Sequence, residues 1–186
     1  DRAIALVRCH MYWSEGYDTL GRALSEAETA VSLDPTSARG HSALGYALGA
    51  FGHWRAAEAS HGMALAADPR DPCCYHNAAW MMMSRGDRRA AVAFFERTGD
   101  LDPHNIKGYL QAACLCLAHD PARSRRNAER ALVRARARLA VDPTDPRALT
   151  ASGVLMALMG EPGAAYATIR DIDVSNSAQA IYHASA

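Results

Sequence analysis

Apolar side chains recur along the chain at the spacing of one face of an α-helix. No segment alternates between apolar and polar residues at every second position, as a half-buried strand would. The pattern therefore predicts helices of about four turns and no sheet. The clearest case pairs one face formed by Tyr75, Ala78, Ala79 and Met82 with another formed by Ala91, Phe94 and Phe95.

The helical pattern is repeated at a nearly constant interval. Asp-Pro occurs at Asp34-Pro35, Asp68-Pro69, Asp102-Pro103 and Asp142-Pro143, with steps of 34, 34 and 40 residues between prolines. Small side chains at matching places would allow two helices to pack closely. They form one column at Gly45, Ala79, Ala113 and Gly153, and a second at Ala23, Ala57, Ala91, Ala131 and Ala165.

Each repeat also carries the usual residues for starting and ending a helix. The positions two residues after the prolines hold good N-cap residues, and Pro72 and Pro146 come next, where a helix tolerates proline. The glycines suit the left-handed residue that reverses the chain after a helix. In the first repeat, residues 16–21 predict a longer connection. The predicted N-caps are Ser37, Asp71, Asn105 and Asp145, and the predicted breaks are Gly52, Gly86 and Gly160.

These columns resemble the tetratricopeptide repeat (TPR), a helix-turn-helix unit of about 34 residues. The resemblance implies an all-α, right-handed α-solenoid of antiparallel helix pairs, the TPR superhelix, as a single array over residues 1–186. The fourth unit has six extra residues. The first connection and the segment that follows it are similar to TPR regions of multidomain bacterial regulators. We expect units at about 2–35, 36–69, 70–103, 104–143 and 144–175, with residues 176–186 as a candidate capping helix.

The composition shows no bias of charge, and the sequence contains no segment that could span a membrane. Twenty basic and twenty acidic side chains leave a formal net charge of zero, so the whole surface attracts neither nucleic acid nor acidic lipid. Five cysteines, two of them adjacent, make a poor disulfide framework and favour a reducing cytoplasm. Nineteen of the basic residues are arginine and only Lys107 is lysine, which together with the abundant alanine favours a bacterial source. Because the chain starts at Asp1, we expect a piece of a longer protein.

The sequence favours neither a metal centre nor an active site. Cys73, Cys74 and His76 lie close together, but adjacent helical positions diverge by about 100°, and no second ligand pair accompanies them. They are interpreted as ordinary side chains of a repeat helix. No nucleophile elbow, zinc-protease or phosphate-loop motif occurs. We therefore expect a non-enzymatic protein without a cofactor or metal.

An arginine-rich segment begins at Asp120 and Pro121, which predict a long helix reaching about residue 140. Two interpretations of its basic stripe stay open. The stripe is either the solvent-exposed face of a helix whose apolar face is buried, or a binding surface for an acidic partner or nucleic-acid phosphate. The absence of stacking aromatic residues disfavours nucleic acid. The stripe consists of Arg123, Arg126, Arg130, Arg134 and Arg138.

The resemblance also implies a concave groove lined by the first helix of each pair. Amide groups there would satisfy the backbone of an extended peptide, and Trp80 would supply a large rigid contact, although packing on its own turn is the alternative. The match to a clamp for a chaperone's C-terminal carboxylate is poor. The candidate groove residues are Arg39, Tyr46, His76, Asn77, Trp80, Lys107, Gln111 and Arg147. The groove-facing positions of the repeat also fall on Leu110, Cys114, Leu117, Ala151 and Val154.

The first functional expectation is a cytoplasmic module that binds a peptide or helix of a partner protein in this groove. A second is an intramolecular regulatory module of a larger bacterial signalling or transcription protein. A third is binding of anions or nucleic acid through the arginine stripe. No membrane association is expected. An exposed, apolar terminal repeat would also allow a homodimer through the terminal repeats.

Overall fold

The computed structural model describes residues 2–13, 17–170 and 172. Over this part of the chain the protein is all-α, with ten helices and no strand, which confirms the predicted fold class. The candidate capping helix at 176–186 lies outside the described residues. The helices are α1 (Arg2–Trp13), α2 (Tyr17–Leu33), α3 (Ala38–Ala50), α4 (Trp54–Ala67), α5 (Pro72–Ser84), α6 (Arg88–Leu101), α7 (Lys107–Cys116), α8 (Pro121–Val141), α9 (Pro146–Leu158) and α10 (Pro162–Ile169).

The predicted N-cap bonds are present at α3, α5, α7 and α9. Each cap side chain accepts a hydrogen bond, 2.8–3.1 Å long, from a backbone N–H two or three residues further along. At α7 the cap is Asn105, although the helix begins at Lys107, because Ile106 already has helical dihedral angles. The long helix is confirmed as well, since Asp120 caps α8 by accepting from the Arg123 N–H at 2.9 Å.

Three connections between paired helices turn on a glycine with positive φ, as predicted. Gly52, Gly86 and Gly160 have φ of 78°, 91° and 85°, a region that costs other residues about 1 kcal/mol or more. The expected long connection in the first repeat is wrong for residues 17–21. Helix α2 begins at Tyr17, so these residues belong to its first turns.

The two helices of a pair run antiparallel, with small residues where they meet. A Cβ added to Gly49 would lie 3.9 Å from the Cβ of Ala57, and one added to Gly45 would lie 2.9 Å from the ring of His61. Positions nearer the turn thus face each other, and so do positions further from it. The predicted small-residue columns are buried at every position: Gly45, Ala79, Ala113 and Gly153, and Ala23, Ala57, Ala91, Ala131 and Ala165.

The chain divides into two compact units, residues 1–94 (unit 1) and 95–186 (unit 2), with the boundary inside α6. In unit 1, α3 packs against α2, α4 and α5. In unit 2, α7, α8 and α9 pack together around a core that includes Tyr109, Leu132 and Leu155. No helix among the described residues is both long enough and apolar enough to span a membrane.

Candidate functional site

In unit 1 the predicted groove residues Tyr46 and His76 are buried, and Trp80 is half-buried. Tyr46 is buried in a cluster with Val7 and Leu20, and Trp80 packs against that cluster. The indole N–H of Trp80 donates to Nε2 of His76, one helical turn earlier, at 3.0 Å. Tyr46 and His76 are therefore corrected to core residues, and the alternative interpretation of Trp80, packing within its own helix, agrees with this contact.

Asn77 is also corrected. Its side chain is only 1% exposed, and its Nδ2 donates to the hydroxyl of Ser42 on α3 at 3.0 Å. A buried amide of this kind links α5 to α3 and presents no donor to a ligand at the surface. Arg39, in contrast, is exposed, and its Nε donates to Asp71 at 3.0 Å.

Unit 2 contains a pocket of about 240 Å³ at the start of α7 and α9. Lys107 and Arg147, both predicted groove residues, line it, and so do the groove positions Leu110 and Ala151. The structure therefore brings these four residues together around one concave space. Sequence reasoning did not assign the remaining lining residues to the groove: Asp102, His104, Asn105, Ile106 and Arg138.

Two arginines of α8 tie the rim of this pocket together. Nη1 of Arg134 donates to the carbonyl oxygen of Asn105 at 2.7 Å, just before α7. Nε of Arg138 donates to Asp145, the N-cap of α9. Burial by itself would raise the pKa of Asp145, but Arg138 and two backbone N–H groups outweigh burial and lower that pKa below its ordinary value. Helix α8 thus holds the starts of α7 and α9 side by side.

Arg123 of the stripe makes a two-bond ion pair on α6. Its guanidinium donates to both carboxylate oxygens of Glu96, at 2.8 and 2.6 Å, and Asn127 donates to the same carboxylate at 2.8 Å. The bond from Arg123 holds the pKa of Glu96 below its usual range. This geometry is typical of a structural ion pair.

Arg130 and Arg134 both contact Tyr109. Arg130 donates to the Tyr109 hydroxyl at 3.0 Å and lies 3.6 Å from Asp100. The guanidinium carbons of Arg130 and Arg134 lie 4.9 and 4.4 Å from the centre of the ring, a favourable cation–π arrangement. Four of the five stripe arginines therefore contact acceptors on neighbouring elements, and Arg126 is exposed.

Beyond the pocket, the first-helix face of unit 2 is open and largely apolar. Leu117 and Val154 are 46% and 41% exposed, and Cys114 is exposed as well. Gln111 is half-buried, and in sequence it lies between the pocket residue Leu110 and the exposed Cys114. The face can offer apolar contacts together with cationic groups at one end.

The described thiols and imidazoles do not form a metal centre. Among residues 2–13, 17–170 and 172, no three potential ligand side chains lie close enough to hold an ion. Cys73 is exposed, whereas Cys74 is buried with its Sγ 3.7 Å from the carbonyl oxygen of Ala38. Burial raises the pKa of the Cys74 thiol to about 11, so it stays protonated at neutral pH.

Neither a family model nor a curated protein matches the chain. Solved structures do share its fold. PilF of Pseudomonas aeruginosa superposes with a TM-score of 0.63 at 16% identity, covering 92% of this chain and 77% of PilF. YrrB, a TPR protein with an unusual peptide-binding site, gives a TM-score of 0.53 at 17% identity, covering 93% of this chain and 87% of YrrB.

A chain in the structure of Naa15/Naa10 bound to HypK-THB gives a TM-score of 0.57 at 20% identity. The match covers 94% of the present chain but only 25% of that larger one, so the protein spans about a quarter of its length. Identities this low establish the fold alone. Taken with the repeat of helix pairs and small residues, they show that the chain has the tetratricopeptide-repeat fold.

Proposed function

We propose that the protein is a non-enzymatic interaction module, a single array of TPR units whose first helices bind an extended peptide or a helix of a partner protein. The main observation in support of this function is the pocket of unit 2. Four positions expected to face the groove, Lys107, Leu110, Arg147 and Ala151, line that one concave space. YrrB supports the proposal by analogy, because the same fold there carries a peptide-binding site.

The contacts of the arginine stripe support this function over nucleic-acid binding. Phosphate contacts need guanidinium groups that are open to the ligand. Arg123 is instead held by Glu96, and Arg138 by Asp145. We therefore assign the stripe to holding helices together and keep the open first-helix face as the binding surface.

The test is selection of binders from a display library of random peptides on the purified protein. The variant Leu117→Ser with Val154→Ser removes apolar area from the proposed face. Val133→Ser is the matched control, because Val133 is 66% exposed but lies on α8, a second helix. Circular dichroism of each variant checks that its helix content is unchanged.

The proposal expects selected peptides to bind the control variant as they bind the original protein, and to lose at least about tenfold in affinity on the double variant. Two buried leucine- or valine-sized contacts account for a loss of this size. Equal affinity for all three proteins would place the binding surface elsewhere. Failure to select any binder would count against an interaction module of this kind.

A further inference from the structure

The pocket of unit 2 combines positive charge with apolar walls. Lys107 and Arg147 contribute cations, Arg138 is already paired with Asp145, and Asp102 is the one carboxylate among the lining residues. Asp102 is also engaged in its own turn, since its Oδ1 accepts from the backbone N–H of His104 at 2.9 Å. An anionic group entering the pocket would therefore meet more positive than negative charge at short range.

The size of the pocket limits what that anion can be. A space of about 240 Å³ is smaller than the ~300–1,000 Å³ of sites for whole small molecules. It suits one side chain. The walls formed by Ile106, Leu110 and Ala151 suit methylene groups, which a bare inorganic anion lacks.

We propose that this pocket binds the side chain of a glutamate within the partner segment, with Lys107 and Arg147 contacting its carboxylate. The inference rests on the proposed function, because the glutamate is carried by the segment that lies along the first helices. Its two methylenes lie against the apolar walls, and its charge is paired by groups of opposite sign.

The position of the apolar area then sets the spacing in the partner. Lys107 and Leu117 are ten residues apart in sequence, and a rise of about 1.5 Å per helical residue separates them by roughly 15 Å. An extended peptide covers that distance in about four or five residues. We therefore expect a large apolar side chain four or five residues from the glutamate when the partner is extended.

Two peptide libraries with blocked C-termini test the inference, one containing Asp and Glu and one from which both are excluded. The first library should yield binders that share a glutamate and an apolar residue at the stated spacing. Replacing that glutamate with glutamine, or using Arg147→Gln or Lys107→Gln protein, should weaken binding about tenfold or more, and added salt should weaken it too. Arg136→Gln is the matched control, because Arg136 is an exposed arginine of the same unit outside the pocket.

Covalent capture gives a second measurement. Lys107 is the single lysine of the chain, so a carbodiimide that joins a carboxylate to an amine should couple the bound glutamate to Lys107. The amide forms with loss of one water, which the carbodiimide takes up. Mass spectrometry of a digest should locate the link, and a link only to the N-terminal amine would contradict the proposed geometry.

The possible outcomes distinguish failure of the glutamate pocket from failure of the proposed peptide-binding function. If both libraries yield binders that depend on Leu117 and Val154 but not on Arg147, the interaction module stands and the glutamate pocket is refuted. If a selected peptide binds more tightly once its C-terminus is left free, and then no longer needs its glutamate, the pocket takes a chain end and the inference is overturned. If neither library yields a binder, the proposed peptide-binding function is refuted, and the glutamate pocket with it.

Discussion

His61 of α4 gives the most quantitative prediction for stability. Its ring is 3% exposed, and both ring nitrogens lack a hydrogen-bond partner among the described residues. The ring packs against Gly45, where an added Cβ would lie 2.9 Å away. Burial lowers the pKa of His61 from 6.5 to about 4, because the interior disfavours the charged imidazolium.

The sign follows from proton binding. The unfolded chain takes up a proton at His61 near pH 6.5, whereas the folded protein resists it until about pH 4, so stability is lost as the pH falls through this window. The difference of pKa between 6.5 and about 4, at about 1.4 kcal/mol per pKa unit, corresponds to about 3 kcal/mol below pH 4. At pH 5 the loss is about 2 kcal/mol.

The experiment compares urea unfolding at pH 7 and pH 5 for the original protein, His61→Phe and Ser60→Ala. His61→Phe should lack about 2 kcal/mol of the pH-dependent loss, since its ring does not titrate. Ser60→Ala changes the neighbouring buried residue without removing an ionisable group, so it should keep the full pH dependence. The same pH dependence in all three proteins would refute the reasoning, as would an NMR titration that places the pKa of His61 near 6.5.

Two further stability predictions concern close packing. Gly108→Ala would put a Cβ 2.5 Å from the carbonyl oxygen of Phe95 and should lower the free energy of unfolding by about 1–3 kcal/mol. Gly62→Ala adds a Cβ with nothing within 4 Å, so it should be neutral or stabilising by up to about 1 kcal/mol. Thermal unfolding of both variants checks these values. Asn77→Ala removes the bond to Ser42 and should lower stability by about 1–3 kcal/mol without changing peptide affinity in the selected binders. A lowered affinity at unchanged stability would return Asn77 to the binding surface.

The fold was largely predictable because its determinants are local and repeated. N-cap residues such as Ser37 and Asp71, and breaks such as Gly52, act within a few residues of their own position. Small residues at a constant interval mark where helices meet. The long connection expected over residues 16–21 is wrong for residues 17–21, because Gly21 lies inside α2 and a helix tolerates an isolated glycine at a cost of about 1 kcal/mol.

The candidate site was predictable only in part, because a side chain at a groove position can bond either to a ligand or to a residue of a neighbouring helix. Lys107 and Arg147 line the pocket as the repeat position implies. Asn77 occupies an equivalent face but bonds to Ser42, 35 residues earlier, and no local pattern identifies such a partner. The acceptors of the arginine stripe, such as Glu96 and Asp145, likewise lie on other elements.

The irregular fourth repeat explains how α8 comes to hold the pocket. Helices α4, α6 and α10 begin three residues before their small-residue position, whereas α8 begins ten residues before Ala131. The additional residues therefore extend α8 at its N-terminal end. This extension carries Arg123 and Asn127, which both bind Glu96 on α6.

Anchoring at that end fixes the rotation of α8 about its axis, because a helix held by two side chains at i and i+4 has one face committed to its neighbour. The same face returns every three or four residues, and so it reaches Arg134 and Arg138 near the other end. Those two arginines bind the start of α7 and the N-cap of α9. The insertion that interrupts the repeat period thus aligns the two helix starts that form the pocket.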